Sequence, residues 1–283
     1  MAQGVERRVI RIGHSPDPDD AFMFHGLASG RVPAPPGWEI VQVLKDIESL
    51  NRMALDGAIE VTAVSFHAYA HFADRYALLP CGASMGDGYG PMVVARQKLS
   101  LEDLRKKTIV VPGRLTSAAL ALRLALGDVK TEVAPFETIL DGVREGRHEA
   151  GLLIHEGQLT YGDAGLHKII DLGAWWKTET GLPLPLGGNA IRKDLGAECI
   201  ATVAALLRRS IDYGLDHRDE ALTYALDFGR GIARPTADRF VGMYVNDYTR
   251  DYGEVGRRAI DLFLARGAEA GVIPRRVRAE FTA

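Results

Sequence analysis

Short apolar runs alternate with segments of helical periodicity from residue 8 to residue 172, and that alternation restricts the chain to an α/β fold. Strands are expected at 8–13, 39–44, 59–64, 91–95, 108–111, 131–134, 150–154 and 168–172, with a short one at 77–79. Helices are expected between them at 20–29, 47–55, 65–76, 116–126 and 139–145, and Ser100-Leu101-Glu102-Asp103 opens a short helix with an acidic first turn. From Cys199 onward the pattern is almost entirely helical, at 200–214, 219–229, 237–244 and 253–267. At ~150 residues per domain, 283 residues predict two domains. A change of unit near 97 and a return near 190 give a larger, discontinuous α/β lobe (1–96 and 190–283, with the C-terminal helices) and a smaller α/β lobe (97–189). A cleft between the lobes is the natural ligand site.

Composition narrows the function classes. A hydrophobic content of 47% with 25% charged residues is that of a soluble globular protein. A net charge of -3 and few aromatics give no electrostatic or stacking basis for nucleic acid or an anionic membrane surface. Cys81 and Cys199 are the only cysteines, which defines neither a disulfide framework nor a zinc module; each reads as a small buried apolar residue. The stretch 1–8 has no apolar segment of a secretory leader, and no run reaches the ~18 apolar residues of a membrane helix. The expectation is a cytoplasmic protein, monomer or homodimer.

Four motifs carry chemistry. Residues 150–154 form a strand buried on both faces, followed at once by His155-Glu156-Gly157. Ligands in open α/β sheets sit beyond the carboxyl ends of such strands, so His155 is a candidate general base; a hydrogen-bonded core histidine is the alternative. Zinc is disfavoured, because a His-Glu-x-x-His motif needs a second histidine where Leu159 stands. Ser15-Pro16-Asp17-Pro18-Asp19-Asp20 lacks the ligand alternation of a calcium loop; Asp17 or Asp19 is expected to cap the following helix, with Ser15 facing the cleft. Pro112-Gly113-Arg114-Leu115-Thr116-Ser117 leads from a strand into a helix. Thr116 and Ser117 there either bind a substrate carboxylate at the helix N-terminus or cap the helix.

Gly86-Asp87-Gly88-Tyr89-Gly90-Pro91 precedes a strand rather than a helix, so its glycines serve a tight turn and close backbone approach, not a dinucleotide. His67 and His71 share a helix face without an evident third metal ligand. The segment from Trp175 to Gly188 reads as an apolar loop that walls an aromatic ligand or packs between the lobes.

On the motifs 15–22, 112–118, 151–156, 171–176 and 180–187, the chain resembles the 1,4-dihydroxy-6-naphthoate synthases of the futalosine route to menaquinone, over nearly its full length. The resemblance implies a periplasmic-binding-protein-like (type II) fold of two α/β lobes with a ligand cleft between them, and no metal or organic cofactor. It implies a lyase that fragments cyclic dehypoxanthinyl futalosine to 1,4-dihydroxy-6-naphthoate, with His155 as proton acceptor. Substrate contacts are implied at Thr116, Ser117 and the segment Ala63-Val64-Ser65.

The chain departs from the family pattern in three places. Members often have Cys-Pro-Asn-Asp where this chain has Asp17-Pro18-Asp19-Asp20, a lysine at Ala63, and Arg-Phe at Gln158-Leu159. Arg114 or the helix end at Thr116 is expected to compensate for the lost lysine, with Trp175 walling the aromatic carboxylate substrate. Two alternatives stand beside this reading: chorismate dehydratase of the same pathway, and a non-catalytic small-molecule carboxylate-binding protein.

Overall fold

The computed structural model describes residues 7–282 and contains two mixed sheets, each covered by helices. The stretch 1–6, on which most of the no-leader expectation rests, lies outside the described residues. In chain order the strands are β1 (Arg8–His14), β2 (Trp38–Leu44), β3 (Val61–Ser65), β4 (Tyr76–Leu78), β5 (Ser84–Gly86), β6 (Met92–Ala95), β7 (Ile109–Val111), β8 (Thr131–Val133), β9 (Ala150–Leu153), β10 (His167–Asp171) and β11 (Leu184–Arg192). The larger sheet runs β2-β1-β3-β11-β4, with β5 also on β11; the smaller runs β10-β6-β9-β7-β8. β1, β2 and β3 are mutually parallel, as are β7, β8 and β9, whereas β11 and β6 run against their neighbours.

The parallel strands β3, β7 and β9 are wholly buried, as continuous apolar runs covered on both faces must be. One core lies under the larger sheet, where Phe22, Phe24 and Ile12 meet Val203, Leu207 and Val241 of the C-terminal helices. A second core is shared by both lobes: Phe66, Tyr69 and Phe263 from the larger pack with Val93, Val111 and Leu152 from the smaller. Trp176, edge-on to Phe263 at 5.4 Å, sits within it. Cys81 and Cys199 are buried, as expected, and burial pushes the Cys81 thiol up to about 12. No helix among the described residues is long and apolar enough to cross a membrane.

The lobe boundaries 96/97 and 189/190 are corrected by strand pairing. β6 belongs to the smaller sheet and β11 to the larger, so the chain crosses between β5 and β6 and returns between β10 and β11. The segment expected as a loop from Trp175 is instead a helix, Leu172–Thr180, followed by β11. Asp171 starts that helix by accepting from the N–H groups of Gly173 and Ala174, and Gly181 at φ 72° ends it. Pro185 and the glycine pair obscured β11, and the strand accommodates the proline at a register shift against β5.

The glycine-rich turn behaves as its composition suggests. Gly88 takes φ 84°, and the turn brings the Tyr89 carbonyl against the Cα of Gly173. A methyl group at Gly173 would overlap backbone on that side, which cannot rotate away. Gly173→Ala is therefore expected to destabilise the fold by roughly 1–3 kcal/mol or more, seen as a lowered denaturant midpoint; an unchanged midpoint would show that this backbone approach is dispensable.

Candidate active site

The carboxyl ends of β1, β3, β7 and β9 face one another across the seam between the lobes, and the chain segments leaving them enclose a cavity of about 120 Å³. Ser15 enters it from the end of β1, Ala63, Val64 and Ser65 from β3, and Thr116 and Ser117 from the turn after β7. Leu186 and Asn189 of β11 and Tyr244 close the remaining sides. Six of the nine residues expected at the site are thus brought together: Ser15, Ala63, Val64, Ser65, Thr116 and Ser117.

Buried polar bonds fix the hydroxyl wall. Asn51, fully buried, donates to Ser65 Oγ at 3.2 Å and accepts from Ser65 N at 2.9 Å. Thr116 Oγ1 accepts from Ala119 N and donates to the Gly113 carbonyl, both at 3.1 Å, so its hydroxyl caps the helix Ser117–Leu126. Ser117 Oγ accepts from His67 N at 3.3 Å and retains its own proton for a ligand.

The loop after β1 and the first turn of the helix Pro18–Ala28 form the acidic wall. Asp17, Asp19 and Asp20 all reach the cavity. Burial, then the charges of Asp20 and Asp17, holds the Asp19 carboxyl well above the usual carboxylate range. Burial also raises Asp20 to about 6, against the pull of His14 and the Ser15 N–H, which donates to it at 2.7 Å. Neither Asp17 nor Asp19 caps the helix Pro18–Ala28, contrary to expectation: Asp17 makes no capping bond, and its carboxylate instead meets Arg230 at 2.6 Å. The lining contains no lysine, arginine or histidine.

Three expected residues lie elsewhere. Arg114 is exposed on the turn before its helix and does not line the cavity it was expected to serve. Trp175 is half-buried on the helix Leu172–Thr180, its ring 6.0 Å from that of Trp176, and does not line the cavity. His155 follows the cavity-lining Ile154 but is itself turned aside, 6% exposed. Its Nδ1 accepts from Gly157 N at 3.0 Å, which assigns the ring proton to Nε2, facing the Phe136 carbonyl at 3.2 Å. The Phe136 ring also meets the imidazole edge-on at 5.3 Å. In this conformation the main chain occupies the lone pair that a base would use.

The family model described as menaquinone biosynthesis matches residues 10–269. The chain belongs to this menaquinone-biosynthesis family. A curated relative from Thermus thermophilus, named 1,4-dihydroxy-6-naphthoate synthase, is 44% identical over 93% of this chain and 95% of its own length. A Streptomyces coelicolor protein of the same name is 38% identical over 94% and 95%. A solved structure from Archaeoglobus fulgidus superposes with a TM-score of 0.89 at 46% identity, covering 94% of this chain and 98% of its own. The alkanesulfonate-binding protein of Xanthomonas axonopodis superposes at 0.71 with 13% identity, covering 97% of each chain, and shows the fold alone: a two-lobed, periplasmic-binding-protein-like architecture.

For this family member, sequence reasoning missed Asp19, Asp20, Asn189, Tyr244 and Arg230. The first two were legible as charges beside Ser15. Tyr244 comes from a segment read only as helix, and Asn189 and Arg230 from stretches given no site reading.

His67, behind the hydroxyl wall, supplies a stability test. Burial holds it down to about 4 from 6.5; the nearby His71 acts in the same direction and the Thr116 carbonyl opposes it. Between those values the unfolded chain takes up a proton that the folded one refuses, so this contribution is complete above pH 6.5 and lost as pH falls toward 4. It amounts to about 3 kcal/mol. Asp20 works the other way, because its raised carboxyl favours the folded state on acidification. The difference between wild type and His67→Gln isolates the histidine: unfolding midpoints should show wild type losing more stability from pH 6.5 to 4. Parallel profiles would contradict this assignment.

Proposed function

We propose that this chain is a 1,4-dihydroxy-6-naphthoate synthase that fragments cyclic dehypoxanthinyl futalosine in the cytoplasm, with no metal or organic cofactor. The observation that carries this reading is the near-full-length identity of 44% and 38% to two proteins of that name. The cavity supports it at the level of chemistry. The Ser117 hydroxyl, the start of the helix Ser117–Leu126 and Ser65 form a neutral donor wall, suited to the substrate carboxylate now that Ala63 stands where the family often has lysine.

His155 is the proposed proton acceptor. Substrate competes for the ring, which rotates from Phe136 and Gly157 toward the space lined by Ile154. The proton leaves a substrate hydroxyl, that oxygen becomes a carbonyl, and the electron pair of the broken carbon–carbon bond enters the ring that becomes aromatic. A positioned base contributes ~10²–10⁴-fold.

Asp20 supports a second assignment of the base, because it lines the cavity and is raised to about 6. The two are separated by turnover of cyclic dehypoxanthinyl futalosine in His155→Ala and Asp20→Asn, each checked for folding by circular dichroism. We expect the histidine variant to lose ~10²-fold or more and the aspartate variant to lose less. Near-wild-type turnover in His155→Ala with collapse in Asp20→Asn would move the role to the carboxylate. Turnover of chorismate instead, or tight binding without turnover of either compound, would favour one of the two alternative functions.

A further inference from the structure

We propose that Arg230 is an interlobe latch that holds the cleft shut at the His155 edge and positions the His155 segment. This rests on the synthase reading only for its kinetic consequences. Arg230 stands in the turn before the helix Arg234–Tyr244, on the larger lobe. Its Nη2 donates to Asp17 Oδ1 at 2.6 Å and its Nη1 to the Pro16 carbonyl at 3.3 Å, both on the same lobe. Across the seam, Nε and Nη2 grip both oxygens of Glu156, each at 2.9 Å. The guanidinium also lies 5.0 Å from the centre of the Phe136 ring.

The grip reaches both main-chain partners of the imidazole. Phe136 supplies the carbonyl that meets His155 Nε2, and Glu156 directly precedes Gly157, whose N–H donates to Nδ1. Arg230 therefore holds the two flanks of the histidine without touching it. Only 7% of the Glu156 side chain is exposed, so withdrawing the guanidinium leaves a carboxylate short of water.

Two further observations fit a built device. Arg230 has φ 50°, the sole non-glycine residue with positive φ among the described residues, and the neighbouring Gly231 is also left-handed. Such a backbone persists only where its surroundings demand it. Beside the latch, the seam is an open groove with Glu48 on one wall and Pro135 on the other, so packing alone does not seal this edge. Tyr244 adds one neutral tie nearby, its hydroxyl donating to Gln158 Oε1 at 2.7 Å.

The test compares wild type with Arg230→Met, Arg230→Lys and Glu156→Gln. Small-angle scattering of the ligand-free proteins should show a larger radius of gyration for Arg230→Met. Lysine, which meets a carboxylate at one point only, should restore part of the compact form. With cyclic dehypoxanthinyl futalosine, Arg230→Met should raise KM about tenfold or more and lower kcat by a smaller factor. Glu156→Gln should act in the same direction, with the double variant little worse than either single. Unchanged scattering and unchanged KM in Arg230→Met, or additive effects in the double variant, would overturn the latch. Scattering reads the latch without substrate, so a wild-type protein that fails to turn over this compound counts against the synthase reading and leaves the latch decided on its own. Should Arg230→Met fail to fold, Glu156→Gln, which keeps hydrogen-bonding capacity without the charge, decides the point by the same two readouts.

Discussion

The site depends on one packing constraint: the two sheets share a core along one side of the seam. Phe66 and Phe263 from the larger lobe, and Val111 and Leu152 from the smaller, belong to a single buried cluster. Apolar surface that both lobes need to bury keeps them together there, and roughly 25 cal/mol per Å² of such burial opposes separation. The opposite side has no such core. It carries the polar ends of β1, β7 and β9, and its contacts are hydrogen bonds and one shared guanidinium.

The polar side has to enclose a ligand without leaving its own groups unsatisfied. Asn51 and the Gly113 carbonyl tie down Ser65 and Thr116 from behind, so the wall is rigid before anything binds. The acidic wall meets the same problem differently: burial, then repulsion from Asp20 and Asp17, holds the Asp19 carboxyl well above its ordinary range. Asp17 finds a cation in Arg230 instead. Three carboxyl groups at one loop-to-helix junction are thus accommodated in different ways, set by their neighbours.

Much of this was legible in the sequence wherever local pattern and tertiary role agree. The strands β1, β3, β7 and β9 are short apolar runs with clear ends, so both their positions and the hydroxyls that follow them could be read directly. β11 was not legible, because proline and glycine in its first half contradict a strand, and only pairing with β3 on one side and with β4 and β5 on the other makes it one. The Leu172–Thr180 helix was hidden by its tryptophans, which read as part of an apolar loop that walls a ligand or packs between the lobes; the packing reading is the one the core shows. Orientation lay beyond the sequence altogether. Strand-end placement puts His155 next to the cavity-lining Ile154, but the direction of its ring depends on Phe136, a residue 19 positions earlier. Arg230 was invisible for the same reason, since a lone arginine in a glycine-rich turn carries no signal until Glu156 is found across the seam.

The central claim is that this cavity holds the naphthoate framework and that the imidazole reaches it. A crystal structure with 1,4-dihydroxy-6-naphthoate bound tests it most directly. The account predicts the carboxylate at Ser117 and the His155 ring turned from the Phe136 carbonyl to within about 3 Å of a product hydroxyl. A product complex in which His155 keeps both main-chain bonds and a carboxyl of the β1 loop meets the hydroxyls instead would contradict it.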